Sequence, residues 1–245
     1  MIHTTGHLLD RRLHYAQLQS GHRSGIEPVL LAAAIPAKDG DNVIEAGTGA
    51  GAGLLCLAAR IANLRGIGVE RAPPLAMLAQ RNFRDNGFTN LSVIAADIAR
   101  LPVTDLPVQR RFDHAFANPP WRPPPDTPSP DPIRRLAHHS TCGLLAAWAN
   151  ALAAVLKPRG TLSFILPATS LTDGLDAMTR AGCGAARIMP LWPRSGRPAK
   201  LIILQSRKGH RGDLTLLQGL TLHDEAGYTG PANDILRRGA CLSLR

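Results

Sequence analysis

From Asn42 onward, the chain alternates short β-branched runs with longer segments that are rich in alanine and leucine. The short runs have the length of buried strands, and the longer segments have the length of helices. Strands that alternate with helices form a mostly parallel sheet whose two faces are both covered by helices. The sequence therefore predicts a three-layer α/β fold.

The alternation predicts seven strands and four helices after Asn42. The predicted strands are Val43–Ala46, Gly66–Glu70, Leu91–Ala95, Phe112–Ala117, Thr161–Leu166, Ala185–Pro190 and Leu201–Ser206. The predicted helices are Gly51–Asn63, Pro73–Asn86, Gly143–Leu156 and Ala168–Ala181. Prolines crowd Pro119–Pro132, so this segment is predicted to be a loop. A further helix is expected at Glu27–Ile35, packed over one end of the sheet.

A glycine-rich segment joins the first of these strands to the next helix. It reads Glu45-Ala46-Gly47-Thr48-Gly49-Ala50-Gly51, and its glycines allow a tight turn that brings bare backbone close to a ligand. Dinucleotide enzymes have similar loops, but Glu45 would repel a pyrophosphate and would tolerate a cationic sulfonium. Glu70 ends the second strand, where it can accept hydrogen bonds from ribose hydroxyls. Asp97 follows the third strand, where it can accept one from the amine of an adenine ring.

The segment Asn118-Pro119-Pro120-Trp121 directly follows the fourth strand, at the edge of the sheet where open α/β folds bind ligands. The exocyclic amine of a base is a poor nucleophile because its lone pair is delocalised into the ring. The Asn118 side-chain oxygen and the Pro119 carbonyl can accept its two hydrogens and favour a pyramidal nitrogen. Pro120 stiffens the turn, and Trp121 can stack on an unstacked base. We predict that these four residues are catalytic.

The charge of the chain favours a polyanionic partner. Lys and Arg total 28 against 18 Asp and Glu, a formal net charge of +10. RNA, DNA and an anionic membrane all fit this surplus. Arg122, Arg197 and Lys200 flank the predicted pocket in sequence and are candidates to bind phosphates, although a solvated basic face is the alternative.

No metal site is predicted. The four cysteines are far apart, and no acid or cysteine is spaced with the histidines as metal ligands usually are. The longest nearly apolar run, Leu144–Leu156, is too short to cross a bilayer, and no signal-like block follows the first charges. We therefore expect a cytoplasmic protein without a membrane partner. The sequence does not reveal the oligomeric state, and a monomer is expected.

Together these residues resemble the Rossmann-type S-adenosylmethionine-dependent methyltransferases that have an Asn-Pro-Pro-aromatic signature. The resemblance implies a seven-stranded, mostly parallel sheet whose last strand is antiparallel. It implies S-adenosylmethionine as the cofactor and a planar amide or amine nitrogen as the acceptor. Within one domain, it implies an N-terminal helical cap over 1–41 that contributes to the cofactor pocket, the methyltransferase core over 42–208 and a C-terminal extension over 209–245. The expected cofactor contacts are Gly21, Arg23, Glu45, Gly47, Thr48, Gly49, Gly51, Glu70, Asp97 and Asn118.

A closer resemblance extends over nearly the full chain. Gln19–Arg23 with Glu27 and Leu30–Ala33, then Pro193–Lys200, His223-Asp224 and Gly227-Tyr228-Thr229 resemble the tRNA1(Val) adenine-37 N6-methyltransferase family. In that family a Gly-aromatic-Arg segment closes over the cofactor, which carries over to Gly21, His22 and Arg23. His22 stands where an aromatic residue is usual, and Glu27 stands where aspartate is usual.

The resemblance implies N6-methylation of an adenine in tRNA, and three other readings stay open. The first is a protein glutamine methyltransferase, whose representatives carry a helical domain that the region before Asn42 is too short to form. The second is methylation of an exocyclic amine in DNA or ribosomal RNA. The third is a non-catalytic RNA-binding protein, which would have no need of Glu70, Asp97 and Asn118 together.

Overall fold

The structure is a computed structural model that describes residues 3–19, 25–100, 112–120 and 132–244. The first half of the chain contains β1 His3–Leu8, β2 Leu13–Leu18, α1 Glu27–Ala34, β3 Asn42–Ala46, α2 Ala52–Ala58, β4 Arg65–Glu70, α3 Pro73–Asp85, β5 Leu91–Ala95 and β6 Phe112–Ala117. The second half contains α4 Pro132–Val155, β7 Leu156–Pro167, a 3₁₀ turn at Ala168–Ser170, α5 Leu171–Arg180, β8 Cys183–Arg194, β9 Leu201–Lys208, β10 Thr215–Leu216, β11 Leu220–His223 and α6 Gly230–Arg238.

The central sheet has the order β10-β8-β9-β7-β6-β3-β4-β5, and β11 also pairs with β8. Every pair is parallel except the two that β9 forms with β7 and β8. The predicted α/β class is confirmed, and the last of the seven predicted strands is the antiparallel one. The described residues form nine strands in this sheet rather than seven, because the C-terminal extension adds β10 and β11 beside β8.

Apolar side chains from both faces of the sheet form two separate cores. Val43 of β3 packs into the core under α1, α2 and α3, whereas the next residue, Ile44, packs into the core under α4 and α5. Successive side chains of a strand point to opposite faces, so a strand buried on both faces must be apolar at consecutive positions. This is why the β-branched runs of the sequence are continuous rather than alternating with polar residues.

The region before Asn42 differs from the predicted helical cap. The helix α1 lies where it is expected, but an antiparallel hairpin of β1 and β2 precedes it. Leu13 and Tyr15 of β2 are buried while His14 between them is exposed, which is the alternation of a half-buried strand. The hairpin was missed because only these two apolar residues mark that period in a stretch rich in histidine and arginine.

Several predicted element boundaries are also corrected. The helix predicted to reach Asn63 ends at Ala58, and Asn63 takes a left-handed φ of +51° that no helix contains. The helix predicted from Gly143 begins earlier, at Pro132, inside the segment whose prolines predicted a loop. Proline is tolerated at the first position of a helix because its missing N–H has no helical partner there.

The strand register brings the candidate site residues to one level. Ala46, at the end of β3, pairs with Val69 on one side and with Ala117 on the other. The next residue of each strand is therefore Gly47, Glu70 and Asn118, side by side at the carboxyl edge of the sheet. Glu70 pairs in turn with Ala95 of β5, two residues before Asp97. The predicted pocket is thus assembled by four neighbouring strands.

Candidate active site

The glycine-rich segment forms a tight turn between β3 and α2. The backbone N–H of Gly47 donates to the Val69 carbonyl at 2.8 Å, and that of Gly51 donates to the Thr48 carbonyl at 2.8 Å. Gly47, Gly49 and Gly51 have φ values of +64°, +57° and +89°. Side chains disfavour this left-handed conformation, which explains three glycines at alternate positions.

Two of these glycines are also required by packing, and the third faces open space. A Cβ on Gly47 would lie 2.7 Å from the Trp148 ring, and one on Gly51 would lie 2.5 Å from the Phe83 ring. A Cβ on Gly49 would meet no described atom within 4 Å. The middle of the loop therefore offers bare backbone beside free volume, as a cofactor cradle requires.

Glu45 lies beneath the loop and is only 4% exposed. Its Oε2 accepts hydrogen bonds from Thr48 Oγ1 at 2.5 Å and from the Leu54 backbone N–H at 3.3 Å. Burial raises the pKa of Glu45 to about 8, and these hydrogen bonds only partly oppose that rise. Glu45 is therefore mostly protonated at neutral pH and holds the loop against the start of α2. A neutral Glu45 does not repel a pyrophosphate, so the charge argument made from the sequence is wrong, and the contact of Glu45 with the cofactor stays a prediction.

The acids at the next two strand ends have different partners. Glu70 accepts from the Gly49 N–H through Oε2 at 2.9 Å and from the Ala72 N–H through Oε1 at 2.8 Å. Asp97 Oδ1 accepts from the Ala99 N–H at 3.0 Å, and Oδ2 lies 3.9 Å from Nε of the exposed Arg100. Both carboxylates are half-buried at the carboxyl edge, where they remain accessible to a ligand.

Asn82 of α3 is a residue that the sequence analysis missed. It is 2% exposed, and its Nδ2 donates to the carbonyls of Ala16 and Ala50 at 2.8 Å each. Its Oδ1 accepts from the Ala16 N–H at 3.0 Å. One side chain thus joins the hairpin, α3 and the glycine loop. A polar residue on the apolar face of a predicted helix, between Ala79 and Phe83, was the available signal.

Asn118 and Pro119 directly follow β6 beside the glycine loop. Asn118 is half-buried, Pro119 is buried and Pro120 is exposed. Within the described part of the chain, no hydrogen bond occupies the Asn118 side chain. Its amide oxygen is therefore available as an acceptor at this edge. The predicted residues Trp121, Arg122, Gly21, His22 and Arg23 lie outside the described residues.

Two of the predicted phosphate-binding residues lie at the same edge. Because β8 is parallel to β7 and β9 returns antiparallel, the connection between β8 and β9 emerges at the carboxyl edge of the sheet. Arg197 and Lys200 are in this connection, and both are exposed. The structure thus brings them to the side of the sheet that holds Asn118.

Neither a metal cluster nor a membrane helix is found among the described residues. Where side chains are described, no three His, Cys, Asp or Glu residues are grouped as metal ligands. No helix in the described ranges is both long and apolar enough to span a bilayer.

Comparison with known proteins identifies the class. The family model described as "Methyltransferase domain" matches residues 37–192. A tRNA1(Val) (adenine(37)-N6)-methyltransferase of Actinobacillus succinogenes is 26% identical over 217 residues, 88% of each chain. An enzyme of the same name from Shewanella sediminis is 28% identical over 166 residues, 66% of this chain and 67% of the relative.

Solved structures agree on the fold. A predicted O-methyltransferase from Agrobacterium tumefaciens superposes with a TM-score of 0.74 at 23% identity, over 89% of this chain and 98% of the other. A Thermus thermophilus 16S rRNA N2 G1207 methyltransferase, solved with AdoMet and guanosine, superposes with a TM-score of 0.58 at 18% identity, over 84% and 50% of the two chains.

The chain belongs to the methyltransferase domain family, because the family model covers more than half of it. The protein is an S-adenosylmethionine-dependent methyltransferase of the Rossmann-like class. The carboxylates of Glu70 and Asp97 suit this cofactor, since they present acceptors for hydroxyl and amine groups, and the lack of a side chain at Gly49 allows a ligand to approach the backbone.

Proposed function

We propose that this methyltransferase modifies the exocyclic N6 amine of an adenine in tRNA, with a substrate of the tRNA1(Val) adenine-37 type. The proposal depends most on one observation, the position of Asn118. It follows Ala117, which pairs with Ala46, and Ala46 is followed by Gly47 of the glycine loop. Neighbouring strands are about 4.8 Å apart, so an acceptor on Asn118 lies one strand from the cofactor cradle.

This arrangement supports a reaction that is governed by positioning. S-adenosylmethionine supplies an electrophilic methyl group on a cationic sulfur. Asn118 Oδ1 and the Pro119 carbonyl accept the two hydrogens of the amine, so that its lone pair leaves the plane of the base. The lone pair would then form the N–C bond to the methyl group as the S–C bond breaks, and the positively charged nitrogen would lose a proton to water. Asn118 has no competing partner among the described residues, which suits this role.

The cofactor contacts form the second part of the proposal. Glu70 is suited to the ribose hydroxyls, and Asp97 to the amine of the adenine ring. The N–H groups of Gly47, Gly49 and Gly51 are hydrogen-bonded within the protein, so the loop contributes close approach of its backbone at Gly49 rather than free donors. Glu45 contributes mainly by keeping this loop in its turn, through the hydrogen bonds to Thr48 and Leu54.

Nucleic acid is favoured as the substrate by charge and by the names of the relatives. The formal net charge of +10 suits a polyanion. Arg197 and Lys200 are exposed at the carboxyl edge of the sheet, where they can bind phosphates on either side of the target base. The curated relatives described above are named as enzymes acting on tRNA1(Val).

The substrate is identified by offering the purified protein three acceptors with labelled S-adenosylmethionine: total tRNA, ribosomal RNA and a release factor. We expect label in tRNA alone, and N6-methyladenosine as the only labelled nucleoside after digestion. Mapping by mass spectrometry then finds the labelled position. The inactive control is Asn118→Ala, whose fold is checked by circular dichroism.

Label in the release factor instead of tRNA would support the glutamine-methylating alternative and reject this proposal. Label in ribosomal RNA, or on a nucleoside other than adenosine, would reject the proposed substrate and keep the reaction class.

A further inference from the structure

A stacked pair of aromatic rings lies at the end of β11, outside the site described above. The rings of His223 and Tyr228 have centroids 4.5 Å apart and are inclined by 27°. Tyr228 remains 38% exposed, although one face of its ring is covered by His223. An exposed aromatic face that is backed by a second ring can stack on a planar ligand such as a nucleic-acid base.

The turn that presents Tyr228 is tightly held by hydrogen bonds. The Asp224 N–H donates to the Gly227 carbonyl at 2.9 Å, and Thr229 Oγ1 donates to the Thr221 carbonyl at 2.7 Å. His223 Nδ1 lies 3.2 Å from the Pro193 carbonyl of β8. The turn and the His223 ring are therefore held before any ligand binds, and the stack with His223 supports one face of the Tyr228 ring, which lowers the entropic cost of stacking on the other face.

The His223–Tyr228 pair lies at the same edge of the sheet as Asn118, but further out along the strand direction than Asn118. Because β11 is parallel to β8, it ends at the carboxyl edge of the sheet, where His223 pairs with Arg194. The pairings from β6 through β7 and β9 to β8 place Ala117 at the same height in the sheet as Ile188. Arg194 is six residues beyond Ile188 along β8. With about 3.3 Å per residue and about 4.8 Å per strand, the pair lies about 25 Å from Asn118.

This separation and the surrounding charges define the ligand. A single nucleotide cannot contact Asn118 and Tyr228 together, whereas an RNA substrate is long enough to place one base at Asn118 and another at Tyr228. Exposed Arg197 and Lys200 lie in the connection that follows β8, where they can bind phosphates of such an RNA. Asp224 and Glu225 are the acidic residues of the turn; the Asp224 carboxylate accepts the Ala226 N–H.

We propose that Tyr228, backed by His223, is a stacking platform for an unpaired base of the RNA substrate outside the methylated nucleotide. The inference rests on the proposed function, because it takes RNA as the substrate. It adds a contact that selects the RNA rather than one that performs the chemistry. Tyr228 is thus a specificity residue, and the rate of methyl transfer on bound RNA does not depend on it.

The platform is tested with an anticodon stem-loop RNA in which 2-aminopurine replaces one loop base at a time, apart from the target adenine. S-adenosylhomocysteine is present so that binding is measured without turnover. We expect one position to lose fluorescence on binding the parent protein, as stacking produces. Tyr228→Ala should abolish that change and weaken RNA binding about tenfold, since base–aromatic stacking is worth about that factor or more.

Three variants separate stacking from folding. Tyr228→Phe keeps the ring and should bind within about twofold of the parent. Tyr228→Leu keeps an apolar contact with His223 and should bind as weakly as the alanine variant. Leu216→Ala is the control for loss of an exposed apolar side chain, because Leu216 of β10 pairs with Ile188, away from the part of β8 that pairs with β11. It should leave RNA binding unchanged. In steady state, Tyr228→Ala should raise KM for RNA and leave kcat near the parent value.

Equal RNA affinity of the parent and the folded alanine and leucine variants would overturn the platform and leave the proposed function standing. A fall in kcat without a change in RNA affinity would also overturn it. If the parent methylates no tRNA, the proposed function fails, and the fluorescence change still decides separately whether RNA bases stack on Tyr228. A Tyr228-dependent affinity for a release factor and not for RNA overturns both.

Discussion

The backbone N–H of Gly49 donates a hydrogen bond to Glu70 Oε2 over 2.9 Å. This bond joins the glycine loop after β3 to the acid at the end of β4. The other oxygen of Glu70 accepts from the Ala72 N–H at 2.8 Å, at the entrance to α3. The carboxylate therefore holds the shape of the loop as well as offering acceptors to the ligand, so the two parts of the pocket are coupled.

Replacing Glu70 by Gln tests this coupling. The amide retains one acceptor oxygen but sets its NH₂ group against either the Gly49 or the Ala72 N–H. Hydrogen bonds to charged groups contribute about 1.5–3 kcal/mol, so we expect S-adenosylmethionine to bind at least about tenfold more weakly. Titration calorimetry measures this. Asp85→Asn, an exposed acid on α3 that forms an ion pair with Arg81, is the control and should bind normally.

Replacing Gly49 by Ala tests whether its open volume belongs to the cofactor. The variant adds a methyl group that meets none of the described residues within 4 Å, at a φ of +57°. Gly40→Ala, at the opposite end of β3, is the matched control, because its φ is +76° and its Cβ would also meet no atom of the described ranges. Both variants should lose about 1–2 kcal/mol of unfolding free energy. Only Gly49→Ala should also lose cofactor affinity in calorimetry, and equal affinities would refute the cradle.

The buried Glu45 predicts a dependence of stability on pH. Burial raises the pKa of Glu45 to about 8 in the folded protein, against 4.5 for the exposed group, so the folded state holds the proton more tightly. This contribution to the unfolding free energy is therefore present below about pH 4.5 and is lost as the pH rises through about 8. The total loss is at most about 5 kcal/mol.

Glu45→Gln removes this titration while keeping an acceptor for Thr48 and Leu54. Denaturant unfolding from pH 5 to pH 9 should show a shallower decline for the variant than for the parent. Identical pH profiles would mean that Glu45 ionises normally in the folded protein.

Asn82→Ala should destabilise the glycine loop from a distance. It leaves the Ala16 and Ala50 carbonyls and the Ala16 N–H without their buried partner, at about 1–3 kcal/mol for each unsatisfied group. We expect a loss of about 3 kcal/mol in urea denaturation, with an unchanged dependence on denaturant. Gln80→Ala, which removes one exposed hydrogen bond of the same helix to Val93, should cost no more than about 1 kcal/mol. Equal losses would contradict the bridging role of Asn82.

The main features of the fold could be predicted because each depends on the pattern of residues within a short stretch of sequence. Consecutive apolar residues such as Val43 and Ile44 indicate a strand buried on both faces, and the structure confirms them. Alternate glycines after that strand indicate a ligand loop for the same local reason. The order of strands and helices then brings Glu70 and Asn118 to one edge, since parallel strands end together.

What the sequence did not reveal depends on contacts between distant residues. Asn82 is separated by 66 positions from Ala16, so no local pattern indicates their hydrogen bonds. The close packing that excludes a side chain at Gly47 depends on the ring of Trp148, which belongs to α4. The protonation of Glu45 depends on burial by the whole loop, and the edge strands β10 and β11 depend on pairing with β8.

The central claim is that Asn118 presents the acceptor amine, and single-turnover methyl transfer by Asn118→Ala tests it most directly. With saturating cofactor and tRNA, the rate of N6-methyladenosine formation should fall about 100- to 1,000-fold, as expected for loss of one pre-positioned hydrogen-bonding group. Affinity for S-adenosylmethionine should stay within about threefold of the parent, because Glu70 and the glycine loop are intact. Methyl transfer at the parental rate by the folded variant would contradict the account.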